Sequence, residues 1–350
     1  MTPPSHPLTI RSLAGQLRLS AMTVSRALRN AAGVSAATRK MVLAAAESRG
    51  YRPDPSLAVL NAYRHGKRHL LPHETIAFVT NFPTADEWRR VGTFLRYFNG
   101  AQARAIELGY TLEHFWLNEP ELTPRRASQI LRSRGIRGLL IGPLHHCEST
   151  LQLDWSEFTT VAIGRSLQAP MLTTVSTNHS QCVELAWQKA WERGYRRIGL
   201  VLTEEEEART AGTVHAAHML QQYRHGNEAL PLFITPDFAP EPLVAWVKRH
   251  EPDLILSGNH QHYEVLVEAL GESAKRIKFL NLNTNPRSEM GGVDQGHDRV
   301  GEEAVAMLHQ KLIRRETGIP ARRELTLLDG IWKEGRGDWR LTRRTQLAAV

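Results

Sequence analysis

The sequence predicts a small all-α segment at the N-terminus followed by a larger α/β body with parallel sheets. Three observations carry this reading. The net positive charge is confined to the first 70 residues, apolar residues between Ile10 and Ala46 recur with helical spacing, and from Glu74 onward short apolar strands alternate with amphipathic helices. At 350 residues the chain is long enough for two or three domains, each with its own core.

Residues 1–70 hold eleven Lys or Arg against two acids, Glu47 and Asp54, a balance of +9. The whole chain carries +8, so the other 280 residues sum to −1. A basic excess gathered in one small segment is what a phosphate backbone attracts, although a merely solvated basic tail has the same count. With 41% apolar residues and no apolar run approaching the roughly 18 of a membrane span, the chain reads as globular. Met1 to Ile10 lacks the basic-then-apolar pattern of a secretory signal, which places the protein in the cytoplasm. Cys147 and Cys182 stand 35 residues apart without a CxxC, so they read as buried thiols.

The first helix is predicted from Ile10, Leu13, Ala14 and Leu17, which share one face. After a break at Arg18-Leu19, Ser20 is a good N-cap for a second helix that turns Val24, Ala27 and Leu28 inward. Met22, Ser25, Arg26 and Arg29 fall on its opposite face, with Ala21 at the N-terminal edge. A third helix starts at Ser35, carries Val42, Leu43, Ala45 and Ala46, and stops at Gly50. Asp54-Pro55 restarts the chain, and Ser56 to Tyr63 suit a short fourth helix. Helix, short turn and capped helix with an outward Arg fits a helix-turn-helix, a geometry shared with ordinary helical hairpins.

The residues themselves go further. Thr9-Ile10-Arg11-Ser12-Leu13-Ala14, Leu19 through Leu28, Val34-Ser35-Ala36-Ala37-Thr38-Arg39 and Gly50-Tyr51-Arg52-Pro53 together resemble the headpiece of the lactose repressor (LacI/GalR) family over about 55 residues without a gap. The resemblance implies that Ala21 and Met22 read bases from the start of the recognition helix and that Arg26 is a third major-groove contact. It implies that Ser20, Thr23 and Ser25 hold phosphates, and it places Thr9, Arg29 and Tyr51 among the DNA contacts. The chemistry suits these roles: Arg bonds guanine in bidentate fashion, and Ala and Met offer apolar surface to a thymine methyl. Leu60 matches the leucine wedge that family dimers insert into the minor groove, the alternative being an ordinary packing leucine. The family usually has Gly where Arg18 stands, so this turn either avoids positive φ or accepts strain of order 1 kcal/mol.

In the body, strands are predicted at Thr75 to Phe82, Thr111 to Leu117, Gly138 to Leu144, Thr160 to Gly164, Ile198 to Leu202, Leu232 to Thr235, Leu254 to Ser257 and Ile277 to Leu282. Phe94, Phe98, Ala101, Ala105 and Leu108 mark one buried helical face before Gly109. The order resembles the two-lobed, periplasmic-binding-protein-like effector domain of the same family. Shared milestones are Val175-Ser176-Thr177-Asn178, Arg193 to Ile198, Arg209 with Gly212, Ser257-Gly258-Asn259-His260, and Gly301 before Ala304-Val305. The implied lobes lie near 74–170 and 171–295, with later segments crossing back between them. The implied domains are a headpiece at 1–53, a hinge helix and linker at 54–73, an effector-binding and dimerisation domain at 74–340, and a tail at 341–350.

Open α/β lobes bind ligands at the carboxyl ends of their strands. Asn81 and Phe82 end the first strand there and Trp88 lies on the loop beyond. By resemblance, Arg209 occupies the place of an effector-bonding arginine, His260 stands where an aspartate is usual, and Gln295 matches another pocket position. For Arg209 the alternative is a surface ion pair with Glu204 to Glu207, an acidic run that itself suits a helix start. Asn178 replaces a second frequent aspartate, so the bidentate grip on neighbouring sugar hydroxyls is missing its carboxylates.

The resemblance therefore implies a dimeric, cytoplasmic transcriptional regulator of the repressor type. It would bind a palindromic DNA operator, respond to a small, carbohydrate-like effector, and need no cofactor and no membrane. His145-His146-Cys147 and the His215/His218 pair lack further metal ligands, and the chain has no GxGxxG, P-loop or GxSxG, so no metal site, catalytic residue or enzyme activity is expected. Two other classes share parts of the pattern. A DNA-binding regulator without effector control keeps the headpiece, and a solute-binding protein shares the lobes but has no use for a basic N-terminal segment.

Overall fold

The computed structural model describes residues 10–28, 34–48, 74–147, 149–226, 229–284 and 291–335. The chain divides into two compact units, Met1–His69 and Leu70–Val350.

In the first unit three helices, α1 (Ile10–Leu17), α2 (Ala21–Leu28) and α3 (Ala36–Ser48), enclose a core of Leu13, Ala14, Val24, Ala27, Val42 and Ala46. Leu43, expected on the inner face, is exposed, because the core fills with Val42 and Ala46 on the neighbouring stripe. Two serines start the later helices. The Thr23 amide donates to Ser20 Oγ at 3.0 Å and the Thr38 amide to Ser35 Oγ at 3.2 Å, caps worth about 1 kcal/mol each. Helix α1 ends in a Schellman turn: the Leu19 amide donates to the Ala14 carbonyl (3.0 Å) and the Arg18 amide to that of Gly15 (3.3 Å). Such a turn needs a left-handed residue, and Arg18 supplies it at φ +52°. The position accepts the strain rather than avoiding it. Gly50 and the expected helix at 56–63 lie outside the described residues.

The second unit is a pair of α/β lobes. Lobe 1 contains β1 (Glu74–Thr80), β2 (Tyr110–Trp116), β3 (Gly138–Ile141), β5 (Thr159–Ile163), β7 (Thr174–Thr177) and β13 (Leu325–Leu328), in the all-parallel order β13-β7-β5-β3-β1-β2. Two short strands, β4 (Ser149–Thr150) and β6 (Leu167–Ala169), pair beside it. Lobe 2 contains β8 (Ile198–Thr203), β9 (Phe233–Thr235), β10 (Leu254–Ser257), β11 (Lys278–Asn281), β12 (Gly292–Asp294) and β14 (Ile331–Lys333), in the order β14-β12-β11-β10-β8-β9 with only β14 antiparallel. Each lobe thus places its first strand between its second and third, and both switch points open at the carboxyl ends of the strands.

Helices α4 (Gly92–Glu107), α5 (Pro124–Ser133), α6 (His179–Glu192), α7 (Glu204–Thr210), α8 (Thr213–His225), α9 (Pro240–His250), α10 (Gln261–Leu270) and α11 (His297–Arg314) cover the sheets. Helix α11 comes after the lobe 2 strands in sequence but packs in lobe 1, burying Val300, Ala304, Val305 and Leu308 with Phe78 and Phe98. It lies against α4 through two glycines. A Cβ on Gly301 would stand 2.1 Å from the Tyr97 carbonyl oxygen, and one on Gly100 would stand 1.9 Å from that of Asp298.

The predicted strands are present with ends shifted by a few residues, and the boundary between the lobes moves from 170–171 to 177–178. Thr174–Thr177 escapes prediction as a strand because only Val175 among its four residues is apolar. It joins lobe 1 by pairing with β5 and β13.

Candidate functional site

On α2, Val24 and Ala27 are buried, which turns Ala21, Met22 and Arg26 to the surface, with Thr23 and Ser25 half-buried beside them. Met22 is 68% exposed, unusual for so apolar a side chain and consistent with a face that meets a partner. Ser20 sits at the N-terminal end of this face, its hydroxyl shared between the Thr23 amide and the Thr23 hydroxyl at 2.8 Å. Thr9, Arg29, Tyr51 and Leu60 lie outside the described residues.

The second candidate site is the cleft between the lobes. Its cavity of about 140 Å3 exceeds the ~10–15 Å3 that one water requires, so it admits a small organic molecule rather than a single ion. The walls are made almost entirely by residues at the carboxyl ends of strands and at the starts of the helices beyond them. Pro143 follows β3, Arg165 and Ser166 follow β5, Glu206 and Arg209 follow β8, and Asn283 follows β11. His179 and His297 are the first residues of α6 and α11. Phe94, Tyr97, Leu202, Val214 and Leu282 add apolar surface.

Of the six residues expected to touch a ligand, the cavity brings together Arg209 and Gln295. Arg209 reaches from α7 across the cleft, donating through Nη1 to the Leu144 carbonyl (3.1 Å) and through Nη2 to that of His145 (2.7 Å). It also pairs with Glu205 at 2.5 Å and lies over the Phe94 ring, 5.2 Å from its centroid. The ion pair weighed as an alternative is therefore made alongside the cleft contacts. Gln295 donates through its side-chain Nε2 to the Leu282 carbonyl at 2.8 Å, and its main-chain carbonyl accepts from Thr177 Oγ1 at 3.4 Å.

The other four stand off the wall. Trp88 is fully buried, packed on Phe78 (5.4 Å) and Phe98 (5.1 Å), because the single 3₁₀ turn Glu87–Arg90 folds it into the lobe 1 core. Phe82, 3% exposed, is held edge-on between Phe94 and His145. Asn81 acts indirectly, its Oδ1 accepting from the His145 amide at 2.8 Å and so shaping the loop that Arg209 grips. His260 precedes α10, where its half-exposed ring stacks on Tyr263 and stands 3.5 Å from Glu264. Asn178 caps α6 and donates to Asp329 at 2.8 Å, stapling two segments that pass between the lobes.

Among the wall residues that sequence reasoning misses are Arg165, His179, Glu206 and His297. Arg165 immediately follows the predicted strand end at Gly164, so the rule that directs attention to Asn81 applies equally there. Burial pushes the His179 imidazole down to about 4 and that of His297 to about 3, and raises the Tyr97 hydroxyl to about 12. Both imidazoles are thus neutral at pH 7, and the Nδ1 of each is buried without a protein partner. Glu206 closes a capping box with Thr203, accepting the Thr203 amide at 2.8 Å and its hydroxyl at 3.1 Å, while burial raises its carboxyl above the usual range. Among the described residues no three His, Cys, Asp or Glu come together as a metal site, and no helix is long and apolar enough to cross a membrane. His215 stands 3.2 Å from Glu207, and His218 accepts from Trp187 Nε1 at 3.0 Å.

Residues 9–54 match the model of the bacterial regulatory proteins, lacI family. The HTH-type transcriptional regulator TreR of Salmonella typhimurium is 23% identical over 328 residues, spanning 87% of this chain and 94% of its own. Solved structures share the fold over nearly the whole chain. The Lac repressor bound to ONPG in its repressed state superposes with a TM-score of 0.56 at 18% identity, covering 95% of this chain and 99% of that one. The transcriptional regulator CelR in complex with cellobiose gives 0.54 at 17% identity, covering 93% and 98%.

Proposed function

We propose that this chain, a member of the lacI family of bacterial regulatory proteins by its residues 9–54, is a sequence-specific DNA-binding transcriptional repressor. A small molecule in the interlobe cleft would control its operator affinity. The observation that carries the reading is the exposed face of α2, where Met22 and Arg26 stand outward over a buried Val24 and Ala27. In this proposal Ala21, Met22 and Arg26 read base edges, while Thr9, Ser20, Thr23, Ser25, Arg29 and Tyr51 meet the backbone and fix register. The protein acts as a homodimer on a palindromic operator, with 54–73 as the hinge and Leu60 as its wedge. It works in the cytoplasm, where the DNA is, and catalyses no reaction.

The effector is sugar-like in this reading. Phe94 and Tyr97 supply apolar surface for a ring, and Asn283, Gln295 and Glu206 supply polar atoms for hydroxyls. Selection of DNA from a random pool, followed by anisotropy with the selected site, tests the first half. A palindromic consensus bound far more tightly than random duplex is the expected result, and binding without sequence preference ends the reading. The absence of carboxylates at His260 and Asn178 favours one competitor, a regulator without effector control. Thermal shift separates the two, since a ligand at about 100 times its dissociation constant stabilises by about 2.7 kcal/mol.

A further inference from the structure

Arg165 is a half-buried guanidinium on the wall of the cleft, and among the described residues no carboxylate pairs with it. This sets it apart from Arg209, whose charge is met by Glu205, and from Arg96, which holds two aspartates. The nearby guanidinium of Arg323 adds repulsion rather than a counter-charge. Arg165 depresses the Arg323 guanidinium and the His179 imidazole, each beneath the larger effect of burial. A cation kept from full hydration without a counter-ion is unfavourable unless an anion arrives from outside.

The surroundings of Arg165 suit that anion. Because the strands that lead into helices run parallel in both sheets, the helices that come after them begin at the cleft. Thr93 and Phe94 of the 16-residue α4, His179 of the 14-residue α6 and His297 of the 18-residue α11 all line it from their first turns. Three helix N-termini directed at one cavity add their positive dipole ends to it. His297 is 2% exposed and His179 half-buried, and the Nδ1 of each is enclosed without a protein partner. Held neutral by burial, these rings bring no charge of their own to the cavity. Among the described residues the only carboxylate lining the cavity is Glu206 of lobe 2, and the Thr203 amide and hydroxyl already engage its Oε2.

We propose that the cleft recognises a small hydroxylated molecule bearing an oxyanion, a carboxylate or a phosphate, and that Arg165 is the residue that meets the anion. The planar guanidinium fork fits either group in bidentate fashion. Asn283, Gln295 and the second oxygen of Glu206 are left for hydroxyls, and Phe94 and Tyr97 for the ring. The inference rests on the reading of this cleft as the effector site.

The test uses the full chain and matched sets of neutral sugar, sugar acid and sugar phosphate: glucose with glucuronate and glucose 6-phosphate, and galactose with its corresponding acid and phosphate. Binding is read by calorimetry and thermal shift at millimolar ligand. At least one charged member should bind about tenfold or more tightly than its neutral counterpart. Arg165→Gln should erase that preference without lowering the ligand-free melting temperature, since the guanidinium supports no internal pair. Arg165→Lys should restore part of the preference and serves as the readout if the Gln variant folds poorly. The acid and phosphate arms identify which oxyanion is taken.

Neutral sugars binding as tightly as charged ones, or a preference unchanged in both Arg165 variants, would overturn the inference while leaving the effector reading intact. No binding by any member, charged or neutral, would count against both.

Discussion

Arg96 on α4 of lobe 1 holds Asp294, the last residue of β12 in lobe 2, with Nη1 to Oδ1 at 3.0 Å. The same guanidinium takes Asp298 of α11 at 2.7 Å, so one side chain clamps both sides of the segment by which the chain returns to lobe 1. The Arg96 and Asp294 side chains are only 17% and 11% exposed. Removing the cation would leave a buried carboxylate unpaired. Arg96→Met is therefore expected to lower stability by about 2–4 kcal/mol in urea unfolding, more than any exposed pair of this chain. A change within about 0.5 kcal/mol would mean that the clamp contributes nothing beyond a surface pair.

Arg18 occupies a left-handed position at the turn between α1 and α2. Arg18→Gly removes the Cβ conflict but enlarges the entropy of the unfolded chain, so the net gain in headpiece stability should be modest, up to about 1 kcal/mol. Calorimetry of the headpiece transition decides. A destabilised variant would show that the arginine side chain makes contacts outweighing the strain.

Arg26→Ala should cost about 1–3 kcal/mol on the selected operator and relax preference at one base position in each half-site. Lys67→Ala, which removes one of the eleven basic residues of positions 1–70, should leave preference intact and reduce the salt slope by about 1, as loss of a phosphate contact does. Leu60→Ala should keep half-site contacts and lose much of the operator bend. Equal weakening of specific and random DNA by the Arg26 variant would remove it from the reading face.

Arg209→Ala breaks the bonds to Leu144 and His145 that tie α7 to lobe 1, so it should abolish the effector response while operator binding survives. His260→Asn should leave effector affinity unchanged, because the ring lies outside the cavity wall. A large loss of effector affinity in the His260 variant, measured by calorimetry, would mean that the cleft closes over His260 when occupied.

The buried imidazoles make the fold sensitive to acid. His179 and His262 are held down to about 4, and His218 and His297 to about 3, by burial. Their unfolded counterparts take up protons below about 6.5, so between there and the folded values the unfolded state binds more protons. Stability is full above about pH 6.5 and falls as pH drops through that window, by as much as about 1.4 kcal/mol per unit for each such His. Urea midpoints at successive pH values should show the decline, with a shallower slope in His218→Gln. An unchanged slope would mean that His218 is not the buried neutral group described.

The sequence by itself determined the headpiece and the class of the body, and the reason is that both are written in local periodicity. Leu13 and Ala14, then Val24 and Ala27, recur at helical spacing and form the core, Met22 falls opposite them and is exposed, and Ser20 and Ser35 cap the second and third helices. Alternating strands and helices likewise forecast parallel sheets, because strands joined through helices pair that way. Periodicity reports which face of an element is buried, not which distant element covers it. Only the tertiary structure decided that Trp88 and Phe82, both on segments expected at the cleft, are claimed by the lobe 1 core, where large apolar side chains gain most from leaving water. It likewise decided that Arg165, His179, Arg209 and His297, spread over more than a hundred residues, share one cavity. That convergence arises because the two sheets set the carboxyl ends of their strands toward a common cleft, a consequence of strand order that no single stretch of sequence contains.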